Sequence, residues 1–205
     1  MKKLILITFL STVAFFIACD SEKEESMIKD DQIFHGEWLQ ISSDGNFATD
    51  ITFEHLNFSE DLYSDINNLP NRYARVSGRW SYIAASEIIQ LDGTQTWIQS
   101  SAKEPFSEIY VVVQQNEWLL ELRNQDLGST ETFYKIIESK YLSVGQNTNI
   151  DYLSNVSITA TNYASSNPEI AKIESDKSIT AVSYGIAYIT ITTNVGKMIV
   201  KIIVE

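Results

Sequence analysis

Apolar and polar residues alternate along most of this chain. In residues 51–54, 118–123, 188–192 and 198–204, the apolar side chains occupy every second position. This period of two is typical of β-strands with one buried face, and no stretch longer than about ten residues keeps the spacing of an amphipathic helix. Turn-forming pairs such as Asp92-Gly93 separate the runs. The pattern therefore predicts an all-β chain built from short strands, as in sandwiches and barrels.

The first half of the chain contains about eight predicted strands. They lie near Trp38, Phe53, 76–83, 88–91, Trp97, 109–113, 118–122 and 132–136. Eight antiparallel strands can close into a small barrel whose interior holds side chains or one small ligand. An open or sandwich-like β fold is the alternative. The polar segment 57–71 is predicted to be a long loop at the mouth of the barrel, where recognition is often located.

The composition changes near residue 140, and this change predicts a domain boundary. All four tryptophans, all nine phenylalanines and both histidines precede it, whereas the rest of the chain is rich in Thr, Ser and Ile. We therefore expect one β domain over 33–138 and a second over 139–205. Residues 138–141 contain no Gly or Pro, so the two domains should be joined tightly.

The first nineteen residues have the order of a secretory signal. Met1-Lys2-Lys3 precedes an apolar run from Leu4 to Ile17, and the small residue Ala18 precedes Cys19, the only cysteine. The apolar run is too short to span a bilayer, which needs about 18–20 such residues. The segment 20–31 holds six acids and two lysines, and such a composition predicts a disordered tether over 19–32.

Phe16-Ile17-Ala18-Cys19 resembles the lipobox of bacterial lipoproteins, with Phe16 where the family usually has Leu. The resemblance implies that 1–18 is a lipoprotein signal peptide and that Cys19 carries acyl chains in the cell envelope. We expect the outer membrane. The acidic run is similar to the surface-export signal of certain Gram-negative anaerobes, while Asp20 favours inner-membrane retention in enteric bacteria. An ordinary cleaved secretory signal is the alternative to lipidation.

Residues 163–173 and 179–191 resemble the bacterial immunoglobulin-like group 2 domain, with 142–145 matching its opening strand. Two positions depart from the family pattern, because Asp176-Lys177-Ser178 replaces a usual glycine and Tyr184 replaces a usual proline. The resemblance implies a C-terminal β-sandwich. The family serves both as adhesive tips and as inert spacers, so both roles remain open for 139–205.

Three short motifs resemble the small lipocalin-like domains of bacterial lipoproteins. They are Gly36-Glu37-Trp38, Gly78-Arg79-Trp80-Ser81-Tyr82 and Phe133-Tyr134-Lys135-Ile136. The resemblance implies a barrel that binds a small apolar ligand or a glycan, with Trp38 closing its floor. The aromatic residues Phe53, Tyr82, Trp97 and Tyr110 could contact such a ligand, although the sequence does not show which of them face inward.

Charge and composition argue against several other functions. The formal net charge of −12 opposes binding to nucleic acid, which needs clustered cations. The two imidazoles, His35 and His55, lie outside any recognised nucleophile motif. The neighbouring acids Glu60 and Asp61 are no better candidates for catalysis than other acids of this acidic chain.

We therefore expect a lipid-anchored binding or scaffold protein, with no catalytic residues, no metal and no cofactor. Its expected partners are the membrane, reached through the acyl chains, and a small apolar ligand, a glycan or a surface protein. Adhesion or protein interaction through 139–205 is the alternative function, and a hydrolase of unknown type is a further one.

The lipid anchor predicts that Cys19→Ala abolishes acylation, because no other thiol is present. The unaltered protein should incorporate a labelled fatty acid and sediment with membranes, whereas the variant should do neither. Protease treatment of intact cells then shows which face of the membrane the anchored protein occupies. Acylation of the variant, or unaltered protein that is fully soluble, would contradict the anchor.

Overall fold

The alternating runs form strands in the computed structural model, which describes residues 32–41, 48–63, 72–150 and 158–205. Within these ranges the regular structure consists of β-strands and one short 3-10 turn at Ala84–Ser86. The prediction of an all-β chain is confirmed. In this part of the chain no helix has the length and apolarity needed to cross a bilayer. Cys19 lies outside the described residues.

Strands β1–β8 form a meander that closes on itself. Each strand pairs antiparallel with the next, and β1 also pairs with β8, where Trp38 lies opposite Lys135. We call these eight strands the ring. Their bounds are β1 (Gly36–Ile41), β2 (Ala48–Glu54), β3 (Asn57–Tyr63), β4 (Arg72–Ile83), β5 (Ile88–Trp97), β6 (Lys103–Gln115), β7 (Leu119–Asn124) and β8 (Thr130–Leu142).

The prediction of a loop over 57–71 is wrong for its first half. Asn57–Tyr63 is strand β3, which pairs with both β2 and β4. Phe58 and Leu62 keep a period of two there, and their burial against the core outweighs the polar composition between them. Residues 64–71 lie outside the described ranges. The strands predicted at 88–91 and near Trp97 are one strand, β5, which ends at Trp97.

Aromatic side chains fill one end of the ring. Phe34, in the turn before β1, packs edge-on against Trp80 and Tyr82 with ring centroids 6.0 and 4.8 Å away. Trp38 is 1% exposed, and its Nε1 donates a hydrogen bond to the Phe34 carbonyl at 2.7 Å. Lys135 Nζ lies 4.3 Å from the centroid of the Trp38 ring. The segment before β1 therefore closes this end of the ring.

Two facing glycines allow the sheet to curve. Gly78 on β4 lies opposite Gly93 on β5, and a Cβ atom on Gly78 would lie 2.0 Å from the Asp92 carbonyl oxygen. No other residue fits so close a backbone approach. The missing side chains also leave space inside the ring, where Phe58 and Phe106 approach to 6.1 Å between ring centroids.

The remaining strands form a second unit with two layers. One layer contains β10, β13, β14 and the end of β8, and the other contains β9, β11 and β12. Aliphatic side chains from both layers, among them Ile179, Ile189 and Val200, are fully buried between them. The bounds are β9 (Asn147–Thr148), β10 (Ala160–Ser165), β11 (Ala171–Ile173), β12 (Ile179–Ala181), β13 (Gly185–Thr193) and β14 (Lys197–Val204).

Strand β8 belongs to both the ring and the second unit. Its first part pairs with β7 and β1, and from Ile136 to Leu142 it pairs in parallel with Ile199–Val204 of β14. The boundary expected between 138 and 139 therefore falls inside a continuous strand.

A buried polar group joins the two units beside β8. Lys201 of β14 contacts Glu37 of β1 and Asp50 of β2, with 2.5 Å between Nζ and each carboxylate oxygen. Tyr188 of β13 is fully buried and donates a hydrogen bond from its hydroxyl to Asp50 Oδ2 at 3.0 Å. Burial lowers the pKa of Lys201, but the carboxylates outweigh this effect and raise it above its ordinary value. Lys201 therefore stays charged, and it lowers the pKa of Asp50, which burial nevertheless raises to about 6.

Replacing Lys201 with Met should destabilise the fold by roughly 3 kcal/mol, because two acids at the junction then lose their cation. Lys172→Met is the matched control, since Lys172 is 57% exposed and pairs with Glu174 on the surface. The control should change the free energy of unfolding by less than about 1 kcal/mol. Urea unfolding of both variants measures the difference, and equal effects would show that the junction does not depend on this charge.

Candidate functional site

Three strands of the ring carry a carboxylate on the face that otherwise holds the core. On β3, Glu60 lies between Phe58, which is 3% exposed, and Leu62, which packs against the core. Successive side chains of a strand point to opposite faces, so Glu60 points the same way as both neighbours. Glu60 therefore points into the ring, opposite the buried Val76 of β4.

The same argument places two more acids inside the ring. Glu108 on β6 lies between Phe106 and Tyr110, which both belong to the core of the ring. Glu131 on β8 lies two residues before the buried Phe133 and opposite the buried Leu122. The Tyr110 hydroxyl donates a hydrogen bond to Glu108 Oε2. We call Glu60, Glu108 and Glu131 the interior acids.

The interior acids lie close enough to affect each other's protonation. Burial raises the pKa of Glu60 to about 8, and the charges of Glu108 and Glu131 add to this effect. Burial also raises the pKa of Glu131 to about 7, with a further contribution from Glu108. The pKa of Tyr110 rises above its ordinary value, first through burial and then through the charge of Glu131. Near neutral pH, Glu60 is therefore mostly protonated.

Glu108 has Tyr110 as a donor, whereas Glu60 has no such partner in the described ranges. Its raised pKa arises from burial and neighbouring negative charges, with no hydrogen bond that favours either form. Aromatic rings lie nearby. Tyr73, whose pKa is raised by burial and then by the charge of Glu60, lies 6.0 Å from Trp97 between ring centroids. The interior thus combines an uncompensated carboxyl group with aromatic surface.

This combination suits a group that donates protons or carries positive charge. A nearby cation would lower the pKa of Glu60 by favouring its ionised form, and aromatic rings also attract cations through their faces. In the described part of the chain, no group of three or more His, Cys, Asp or Glu side chains is arranged to hold a metal ion.

Asp61, the neighbour of Glu60, points to the outside of the ring. Its carboxylate accepts hydrogen bonds from Arg72 Nη1 at 3.0 Å and from Arg75 Nε at 2.7 Å. Burial raises the pKa of Asp61, but these two arginines outweigh that effect and lower it. Glu60 and Asp61 therefore lie on opposite faces of β3 and have separate environments.

The aromatic candidates from the sequence lie inside or at the end of the ring. Phe53, Tyr82 and Tyr110 are buried in its core, and Trp97 is half-buried at the end of β5. Of these, Tyr110 contacts an interior acid.

The two histidines lie apart from the interior acids. His35 is half-buried next to Trp80, with 5.9 Å between ring centroids. His55 is exposed in the turn between β2 and β3, with a positive φ of 44°. Neither side chain adds to the candidate site.

Sequence reasoning missed the interior acids, although a signal for them exists. Each acid occupies the apolar phase of an alternating strand, as in Phe58-x-Glu60-x-Leu62. The prediction of a loop over 57–71 overlooks the shared face of Phe58, Glu60 and Leu62. Glu108 and Glu131 occupy the same apolar phase, Glu108 between Phe106 and Tyr110 and Glu131 two residues before Phe133.

The raised pKa of Glu60 predicts that stability falls as the pH rises. Between the ordinary value of 4.5 and about 8, the unfolded chain loses this proton while the folded chain retains it. Glu60→Gln should therefore gain stability relative to the unaltered protein by roughly 2–4 kcal/mol between about pH 5 and pH 9. Urea unfolding at both pH values measures the gain. Glu54→Gln, at an exposed position of β2, should show no such gain, and a gain equal in both variants would contradict the assignment.

Comparison with known proteins does not assign this chain to a family. No family model matches it, and comparisons with curated proteins and with solved structures found no match. The resemblances to lipoproteins, lipocalin-like domains and immunoglobulin-like domains therefore rest on the sequence motifs described above. A function for the chain has to be inferred from the geometry of its own residues.

Proposed function

We propose that this protein is a lipid-anchored, cell-envelope binding protein whose ring holds a small organic molecule with an ammonium group and an apolar body. One observation carries the proposal: Glu60 lies inside an aromatic-lined ring, and no described residue compensates its carboxyl group. The other two interior acids, Glu108 and Glu131, increase the negative potential at that place.

The lipocalin-like motifs suggest a small apolar ligand or a glycan, whereas the interior acids favour a ligand that also carries a positive charge. A purely apolar ligand would remove Glu60 and Glu131 from water without giving them a partner, and this burial is unfavourable. An ammonium group provides both charge and hydrogen-bond donors, while Phe106 and Trp97 offer surface for the apolar part. A ligand with both features therefore fits the interior better than a hydrocarbon.

The wider architecture supports a lipocalin-like assignment for 33–138. The support consists of the eight-stranded closed meander, the aromatic core and the burial of Trp38 from the Gly36-Glu37-Trp38 motif. For 139–205, the two-layer arrangement and the turn at Asn167, whose carbonyl accepts from Ala171 N at 3.0 Å, support an immunoglobulin-like domain. Anchoring through acylated Cys19 remains part of the proposal and rests on the lipobox resemblance.

A second candidate function is adhesion or protein interaction through 139–205. Tyr184 is 75% exposed and Val182 is 43% exposed, both just before β13. Val144, 47% exposed, lies on the adjoining segment, where Gly145 N donates to the Ala181 carbonyl at 2.8 Å. Exposed apolar side chains that lie together favour contact with another protein.

The ring site predicts that amphipathic amines bind and that their uncharged analogues do not. 2-Phenylethylamine and 2-phenylethanol form a matched pair for isothermal titration calorimetry with the protein lacking residues 1–18. The amine should bind, and it should release a proton from Glu60 on binding, because a cation favours the carboxylate form. The observed heat should therefore depend on the ionisation enthalpy of the buffer.

Two variants test whether Glu60 is responsible. Glu60→Gln should weaken amine binding by about tenfold or more, as expected for the loss of a charge-assisted hydrogen bond. Glu54→Gln should bind as the unaltered protein does. Equal binding of the alcohol and the amine, or unchanged affinity in Glu60→Gln, would contradict the proposed site.

A further inference from the structure

A cavity lies on the outside of the ring, where the ring meets the second unit. Its volume is about 300 Å³, the lower end of the range for small-molecule sites. One wall is the outer face of β7 and β8, and the other is the turn between β13 and β14. We call it the junction cleft. Its lining residues are Asn116, Trp118, Leu119, Glu121, Thr132, Tyr134, Val195, Gly196 and Lys197.

The sheet register builds the first wall. Leu119 pairs with Tyr134 and Glu121 pairs with Thr132 across β7 and β8. These four side chains point outward, because the residues that alternate with them, Leu120 and Phe133 among them, are buried inside the ring. The wall therefore presents an aromatic ring, an aliphatic group, a carboxylate and a hydroxyl in one contiguous patch.

The turn between β13 and β14 supplies the second wall and the only cation of the lining. Thr193 N donates to the Gly196 carbonyl at 2.9 Å, and Gly196 has φ 143°, a value that favours glycine. Lys197 follows at once, and its Nζ lies 5.5 Å from the centroid of the Tyr134 ring. Tyr134 thus holds the ammonium group of Lys197 at the cleft.

Trp118 and Asn116 close the cleft at the start of β7. Asn116 Oδ1 accepts hydrogen bonds from the backbone N–H groups of Trp118 and Leu119 at 2.8 and 2.9 Å. These bonds fix the Asn116 amide and make its Nδ2 the donor on that side. Trp118 is half-buried and belongs to the lining of the cleft.

We infer that the junction cleft binds a neutral saccharide. The single acid Glu121 and the single base Lys197 balance each other, so a ligand without net charge fits best. The polar side chains include both donors and acceptors, which match hydroxyl groups that do both. The Tyr134 ring, on the outward face of β8, offers an apolar surface for the C–H face of a pyranose. A hydrocarbon ligand would instead remove Glu121 and Lys197 from water without partners.

This inference does not depend on the ring site. Glu121 and Thr132 point outward from β7 and β8, whereas Glu60, Glu108 and Glu131 point inward. Variants of the two sites therefore distinguish them. Loss of amine binding tests the interior acids, and loss of saccharide binding tests the junction cleft.

The test uses the protein lacking residues 1–18 and a panel of methyl glucoside, methyl galactoside, N-acetylglucosamine and cellobiose. Saturation-transfer NMR detects binding, and titration gives the affinity. Glu121→Gln, which preserves shape, should weaken binding of the responding sugar about tenfold, as expected for one hydrogen bond to a charged group. Tyr134→Ala, which removes the aromatic ring of the outer wall, should abolish it. Tyr141→Ala, at an exposed aromatic residue outside the cleft, should leave it unchanged.

Three outcomes would overturn the inference. They are no binding of any sugar in the panel, unaltered affinity in Glu121→Gln, and loss of sugar binding in Glu60→Gln with retention in Tyr134→Ala. Thermal unfolding of each variant shows whether it is folded. If Tyr134→Ala unfolds, Thr132→Val replaces it, because it removes one hydroxyl from the same wall and should weaken binding severalfold.

Discussion

Strand β8 holds the ring and the second unit together, because one continuous backbone supplies hydrogen bonds to both. Its first part completes the ring by pairing with β1 and β7, and its last part forms six parallel pairs with β14. Because its side chains alternate, successive residues of β8 point into the ring and out of it. Glu131 points into the ring beside the other interior acids, while Thr132 and Tyr134 point outward to the junction cleft. Both candidate sites therefore depend on the register of one strand.

The acids at the junction and inside the ring differ in whether a cation lies beside them. At the junction, Asp50 is 5% exposed but has Lys201 and the Tyr188 hydroxyl as partners. Burial raises the pKa of Asp50 to about 6 although Lys201 lowers it, so the loss of Lys201 would leave a buried carboxyl group without its cation. Inside the ring, the half-buried Glu60 lies between Phe58 and Leu62 on β3, and the charges of Glu108 and Glu131 add to the effect of burial on its pKa. Burial and the neighbouring acids make ionisation of Glu60 unfavourable, so its carboxyl group stays mostly protonated near neutral pH.

The sequence predicts local features well and long-range ones poorly. Period-two runs such as 198–204 identify most strands, because burial of one face imposes that period directly. Strand β3 was missed since its inward-facing Glu60 interrupts the apolar phase that Phe58 and Leu62 otherwise mark. The polar composition of 57–71 therefore predicts a loop where the first half is a strand.

Patterns of neighbouring residues do not predict the contact between the ring and the second unit. Lys201 and Glu37 are separated by 164 positions in the chain, and they meet only because β14 adds to the sheet at β8. The junction cleft depends on the same event, since Lys197 and Tyr134 come from strands that are distant in sequence. Alternation predicts which face of a strand is outward, but it does not predict which other strand will cover that face. This is why the interior acids were visible in principle and the cleft was not.

The shared strand also limits how the protein can work. A hinge between the ring and the second unit would have to break the parallel pairs of β8 with β14 and expose Tyr188 and Ile199, which are fully buried at the junction. It would also separate Lys201 from Glu37 and Asp50, leaving two acids without their cation. Fixed presentation of both sites requires none of these losses. The fold therefore favours a rigid junction, in which the second unit forms one wall of the outer cleft and does not open or close the ring.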